Sequence, residues 1–198
     1  IDGYLFNSQL AEKVYEQNGL RPTNSKIASI SNRSIRLHQR MSIPHEKIRI
    51  AYIGPDEEYK GYFDFIEFAE TLDLELYDVT TYGHFPNEEC PSFIEQKGYF
   101  TKETIDSVYE NIDILIVPSK WKETFGLITM EAISYGVNVF VSENVGSKDL
   151  LPESHVFKDK EDLLTKIVNN ELGQIPLKTM EEHVEEVVSY YERVKNGN

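Results

Sequence analysis

The stretch that decides the fold runs Ile112-Asp113-Ile114-Leu115-Ile116-Val117-Pro118-Ser119 and continues Lys120-Trp121-Lys122-Glu123-Thr124-Phe125-Gly126-Leu127-Ile128-Thr129-Met130-Glu131. The apolar run over Ile112–Val117 reads as a strand closed by Pro-Ser. A loop follows that carries an acid, Glu123, and a glycine, Gly126. A helix then spans Leu127–Tyr135, holds a second acid at Glu131, and stops at Gly136. In an open α/β sheet this order puts both carboxylates and an unpaired helix N-terminus at the carboxyl edge, where such sheets take their ligands.

Outward from that core the chain keeps a βα rhythm. Strands are expected at Ile48–Gly54, Leu74–Val79, Ile94–Gln96, Val137–Ser142 and Val156–Phe157. Helices are expected at Lys60–Thr71, with Phe63, Ile66, Phe68 and Ala69 on its apolar side, and at Lys102–Glu110 behind a Thr101 cap. Two more follow at Lys160–Asn169 and Thr179–Lys195. The last should pack through Val184, Val187, Val188 and Tyr191. Strands alternating with helices predict an α/β, Rossmann-like parallel sheet flanked by helices. Before it, Tyr4–Asn7 reads as a short strand, Ser8–Asn18 as a helix with a Ser8 cap and a Gly19 stop, and Lys26–Ile30 as a second strand. Residues 31–47 hold a basic cluster without periodicity and read as a linker or an irregular hairpin.

Two carboxylates beside backbone N–H donors suit a ligand with hydroxyls at both ends and an anion between them, which is the layout of a nucleotide sugar. Gly126 lets a phosphate oxygen approach the backbone at the first N–H groups of the helix. Glu131 lies among Met130, Ala132 and Ile133, and an acid in so apolar a stretch calls for a polar partner.

Ile112–Ser119, Glu123-Thr124-Phe125-Gly126-Leu127 and Glu131-Ala132 resemble the donor-site signature of retaining glycosyltransferases of the GT-B fold, in the GT4-type family (glycosyl transferases group 1) with its Glu-x7-Glu motif. The resemblance covers roughly residues 48–195, the C-terminal half of a two-domain enzyme. It implies a nucleotide-sugar-binding domain over 48–198, preceded by residues 1–47 as the tail of an absent N-terminal domain plus linker. By residues alone, 1–30 reads equally as an extra βαβ edge of one sheet. The resemblance assigns Glu123 to the transferred sugar as the catalytic residue that binds its hydroxyls and steadies its oxocarbenium-like centre, and Glu131 to the ribose. It further assigns Lys60, Phe125, Gly126 and Leu127 to the donor, and Tyr99 and Phe100 to the base. Gly146-Ser147 and Asp149 resemble the family's glycine turn and nearby acid. Pro55 stands where the family carries a phosphate-gripping Arg, and Asp56, Glu57 and Glu58 fill the same loop.

Implied with these are a nucleotide sugar as donor, a glycan, lipid-linked or protein acceptor held by the absent domain, and a role in polysaccharide biosynthesis. The hexosyl transfer belongs to the full-length protein, and this piece alone is expected to be inactive. A non-catalytic relative that binds a partner, and a sugar-nucleotide epimerase of the same fold, remain as alternatives.

Composition narrows the field further. The chain has 198 residues and a formal net charge of −14, which disfavours nucleic acid and anionic membrane as partners. A single cysteine, Cys90, rules out an intrachain disulfide and fits a reducing cytoplasm, with any membrane contact peripheral and made through the absent domain. The apolar runs fall far short of the ~20 residues that span a bilayer. Neither an Asp-x-Asp pair nor metal-ligand spacing of histidines is seen, so no cofactor and no metal are expected. The absence of a P-loop and of Gly-x-Gly-x-x-Gly lowers ATPase and nicotinamide readings.

Overall fold

A computed structural model describes residues 3–33, 35, 38, 45–169, 171 and 173–196. The expected linker at 31–47 lies largely outside the described residues. The elements are β1 (Tyr4–Phe6), α1 (Gln9–Gln17), β2 (Ser25–Ile27), β3 (Ile48–Ile53), α2 (Tyr62–Ala69), β4 (Tyr77–Tyr82) and β5 (Ile94–Gln96). They continue with α3 (Ile105–Glu110), β6 (Ile114–Val117), α4 (Leu127–Ser134), β7 (Asn138–Ser142), β8 (Val156–Phe157), α5 (Lys160–Asn169) and α6 (Met180–Lys195).

Six strands form one parallel sheet in the order β5-β4-β3-β6-β7-β8, and β1 pairs with β2 in a separate parallel pair. This is the Rossmann-like α/β sheet expected from the βα rhythm. Side chains alternate between the two faces along each central strand. Ile50, Ile114, Ile116 and Phe140 face Phe65 and Phe68 of α2 and Leu163 and Ile167 of α5. Ala51, Leu115, Val117, Val139 and Val141 face Val108 and Tyr109 of α3 and Ala132 and Ile133 of α4. Covering both faces explains why β6 is apolar at every position. At the amino end of the sheet, Arg49 of β3 ties to Asp113, just before β6, through Nη2–Oδ1 at 2.9 Å and Nε–Oδ2 at 3.0 Å. Burial would raise the Asp113 pKa, but the Arg49 hydrogen bonds outweigh it and hold the carboxyl below its usual range.

Four local expectations are corrected. The strand expected at Leu74–Val79 is Tyr77–Tyr82, because β4 pairs with β3 in the register Ile48 to Tyr77, leaving Leu74 and Leu76 outside and exposed. Helix α2 starts at Tyr62, after a 3-10 turn at Glu58–Lys60 and a left-handed Gly61. Its phase therefore buries Tyr62 and Phe65 while Phe63 stays exposed. Helix α3 is shorter than expected, with Thr104 rather than Thr101 at its N-cap. In α6 the expected contact residues Val184, Val188 and Tyr191 face outward, and Tyr190 is the buried residue.

Helix α6 packs on the amino-terminal elements. Thr179 and Glu182 form a capping box at its start. Tyr190 donates to the Asn24 carbonyl at 3.0 Å, and Glu186 pairs with Lys26 at 3.0 Å. The expected Ser8 cap of α1 is present, with its hydroxyl accepting from Ala11 N–H at 3.0 Å.

Candidate functional site

Strands β3 and β6 are neighbours whose onward connections run to opposite sides of the sheet, since β4 and β5 lie beyond β3 and β7 and β8 beyond β6. Such a switch point opens a crevice outside the carboxyl ends of the two strands. Here the crevice lies between the loop after β3 and the loop after β6. A cavity of about 230 Å³ occupies it, walled by Gly54, Pro55, Lys60, Glu123, Gly126 and Leu127 among others. A larger cavity, about 550 Å³, lies against β4, β5 and α3. Its charged groups include Arg49, tied to Asp113, and Lys97 and Glu95, tied to each other, and its lining includes no helix start, whereas the smaller crevice combines a charged pair with the open N-terminus of α4.

Lys60 is placed by the 3-10 turn and by Gly61, whose φ of 76° swings the chain into α2. A Cβ at Gly61 would stand 1.9 Å from the Pro118 carbonyl oxygen, so only glycine lets the two loops close on each other. Across that contact, Lys60 Nζ meets Glu123 Oε1 at 2.7 Å, with the glutamate side chain 15% exposed and the lysine 32%. The backbone of Glu123 is fixed from the β7 side. Its N–H donates to the Asn144 carbonyl at 2.8 Å, and its carbonyl accepts from Gly146 N–H at 2.9 Å.

Gly126 caps α4 with φ 91° and offers no side chain to the first-turn amides. The N–H groups of Leu127 and Ile128, both in the cavity wall, therefore have no intrahelical acceptor. Together with Lys60 they make a local positive pole in an acidic chain. Leu127 lies partly open to solvent, whereas the Phe125 side chain is buried at 2% exposure. Phe125 is not part of the cavity wall, and its carbonyl accepts from the Ser147 N–H at 2.6 Å.

Glu131 sits one turn further along α4 and outside the cavity wall. It is half-buried, and its Oε2 accepts a hydrogen bond from the Tyr109 hydroxyl at 3.2 Å. Burial pushes its pKa up, and the Tyr109 hydrogen bond works in the opposite direction. Burial also raises the Tyr109 hydroxyl, and the Glu131 charge adds to the effect. Tyr99 and Phe100 lie away from the crevice. Tyr99 is exposed and stands edge-on to Phe85, centroids 4.9 Å apart, while Phe100 is half-buried against Tyr82.

Several neighbours escaped the sequence. Tyr52 donates to the Pro55 carbonyl at 2.7 Å, and His84 Nδ1 lies 2.9 Å from the Gly54 carbonyl. These two buried side chains draw the loop's carbonyls inward, away from any anion in the crevice. No spacing in the sequence signals His84, which falls in a polar loop. Of the three loop acids, Glu58 is already paired with Lys120. Asp149 accepts from the Gln9 N–H at 2.6 Å, so this acid supports α1. Ser8 and Asn7 reach the adjoining loop, with the Ser8 hydroxyl donating to the Thr124 carbonyl at 2.5 Å and Asn7 Nδ2 donating to Thr124 Oγ1 at 3.3 Å. Among the described residues, no three His, Cys, Asp or Glu side chains are grouped to hold a metal ion, and no helix is long and apolar enough to cross a membrane.

Residues 87–169 match the family model described as Glycosyl transferases group 1. An uncharacterised 41.2 kDa protein in the cps region of Klebsiella pneumoniae is 29% identical over 115 residues, which are 56% of this chain and 31% of that protein. A 42.6 kDa protein of the same description is 26% identical over 125 residues, 58% of this chain and 32% of that protein. The match thus spans about a third of each relative. Among solved structures, sucrose-phosphate synthase of Thermosynechococcus elongatus shares the fold with a TM-score of 0.71 at 15% identity, over 100% of this chain and 59% of that one. HepE of Anabaena, in complex with UDP and glucose, gives 0.66 at 12% identity, over 98% and 61%.

Proposed function

We propose that this chain is the donor-binding part of a retaining glycosyltransferase that draws on a nucleotide-diphosphate sugar. The observation that carries this reading is the meeting, at one crevice of the sheet, of Lys60, Glu123 and the open N-terminus of α4. The diphosphate would lie against the Leu127 and Ile128 amides with Lys60 Nζ beside it. As the sugar–oxygen bond breaks, negative charge grows on the departing diphosphate, and fixed positive dipoles are worth most at that point. Glu123 would accept from hydroxyls of the sugar and stabilise its oxocarbenium-like centre, while Glu131 accepts from the ribose. Two positive poles make a metal unnecessary in this scheme. Tyr99 and Phe100 would take the base, an assignment that rests on the resemblance.

On this reading residues 48–198 form the donor domain and residues 1–47 close a preceding acceptor domain. The acceptor, whether glycan, lipid or protein, would be held mainly by that preceding domain. A reducing, cytoplasmic setting and polysaccharide biosynthesis complete the proposal; the placement of two relatives in a cps region fits the second of these. Pro55 in place of a cation favours a non-catalytic partner-binding role as the second reading, but Lys60, Glu123 and Glu131 are all retained. Isothermal titration of the chain with UDP, GDP and ADP at millimolar concentration tests the donor site. Heat from at least one, weakened by roughly 1.5–3 kcal/mol in Glu131→Ala, supports it. Silence from all three overturns it.

A further inference from the structure

We propose that Tyr59 and Trp121 form a stacking platform for a saccharide, next to the sugar donor proposed for the crevice and dependent on that reading for its role as an acceptor site. The two rings stand on the two loops that carry the Lys60–Glu123 pair. Tyr59 immediately precedes Lys60, and Trp121 lies two residues before Glu123. Both are exposed, Tyr59 at 46% and Trp121 at 65%, and Phe63 in the first turn of α2 adds a third open ring at 45%.

Their supports are rigid. The Tyr59 carbonyl accepts from the N–H groups of both Lys120 and Trp121 at 3.0 Å, and from the Ser119 hydroxyl at 3.4 Å. Lys120 Nζ is itself held by Asp64 at 3.0 Å and by Glu58. Exposed aromatic side chains therefore rise from a braced stretch of backbone beside the crevice, next to the paired charges of Lys120, Asp64 and Glu58. Preorganised contacts of this kind lose little ordering entropy on binding.

The chemistry of the patch selects its occupant. A lipid tail needs continuous apolar surface, and covering Lys120, Glu58 and Asp64 with hydrocarbon would desolvate charges at high cost. A polyanion meets a chain of net charge −14. A pyranose ring has what the patch complements, with an apolar C–H face for the aromatic rings and hydroxyls at its edge for the surrounding charged groups. Its place beside Glu123 puts a bound saccharide on the side from which an acceptor hydroxyl would approach the donor sugar.

The chain has one tryptophan, so Trp121 reports on its own platform. The probes are methyl α-glucoside, methyl α-galactoside, methyl α-mannoside and maltose, with glycerol as the polyol control. Tryptophan emission and the single indole N–H resonance are followed together. At least one saccharide should shift both signals saturably in the millimolar range. Tyr59→Ala should weaken that response about 2- to 10-fold, the range expected for one aromatic contact, and Tyr59→Phe should restore it. Glu131→Ala, which removes a nucleotide contact, should leave the response in place. A saccharide response without heat from UDP, GDP or ADP would keep the platform and remove the donor reading; nucleotide heat without a saccharide response would do the reverse. The platform is also overturned if glycerol reproduces the shift, if roughly 100 mM of every saccharide leaves the indole resonance unmoved, or if Trp121→Ala dissolves a dimer seen by sedimentation, which would assign the rings to a second copy of the chain.

Discussion

Lys60 and Glu123 stand 63 residues apart in the chain and meet at 2.7 Å across the mouth of the β3–β6 crevice. Each holds the group that the other would release to a ligand, the ammonium to phosphate and the carboxylate to sugar hydroxyls. The two substitutions should therefore act in opposite directions on a bare nucleoside diphosphate. Lys60→Ala should weaken its binding by about 1.5–3 kcal/mol through loss of a charge-assisted bond. Glu123→Gln frees the lysine and removes a nearby negative charge, so affinity should rise by about 0.2–1 kcal/mol. Calorimetry on the two variants decides this, and the same sign for both would separate the pair from the site.

Glu131 should trade stability for binding. Its folded pKa is raised by burial, so the carboxyl contributes most to stability below its unfolded value, and that contribution is lost as pH rises through the folded value. At neutral pH the charged form is a burden on the fold. Glu131→Gln keeps an acceptor for Tyr109 and should raise the melting temperature at pH 7, with the gain fading near pH 4. Thermal scans at both pH values test the sign.

Asp113 has the opposite dependence. Its pKa is lowered in the folded state, so its contribution is present above the unfolded value near 3.8 and is lost as pH falls through the folded value. Asp113→Asn should cost about 1.5–3 kcal/mol at pH 7, measured by urea unfolding. The wild-type and variant curves should converge as pH falls through the folded value.

Gly61 and Gly126 share a left-handed backbone but differ in their surroundings. At Gly61 a Cβ meets the Pro118 carbonyl at 1.9 Å, while at Gly126 the nearest atoms are Val145 Cγ1 at 2.9 Å and Glu123 Oε2 at 3.3 Å. Both alanine variants carry about 1–3 kcal/mol of backbone strain. Gly61→Ala adds a backbone collision and should be clearly the less stable in urea, while Gly126→Ala should fold and lose nucleotide heat.

Much of the fold was legible because buried parallel strands are apolar on both faces, as β6 and β7 are. Strand β4 was misplaced because Leu74 and Leu76 mimic an alternating strand, while Thr80, Thr81 and Tyr82, which do pair in the sheet, look like loop residues. In α2 only Phe63 leaves the expected apolar side, because a 3-10 turn and Gly61 set the start of the helix after Lys60. In α6 Val184 and Val188 face outward while Val187 is half-buried; a tyrosine bonded to the distant Asn24 carbonyl fixes the buried side. At the site, Lys60, Glu123 and Gly126 could be picked out because the resemblance marks them. The inward turn of Phe125 and the grip of Tyr52 and His84 on the Gly54–Pro55 carbonyls depend on contacts between separate loops, which no local pattern encodes.

The hydrogen bonds from Asn7 and Ser8 to Thr124 have a mechanical consequence. Thr124 follows Glu123 directly, and Gln9 is tethered to Asp149 on the next loop. The acid is thereby geared to α1, so a rotation of the first thirty residues would be transmitted to it within one peptide unit. Trimming those residues to isolate a minimal sheet would leave that loop without its brace.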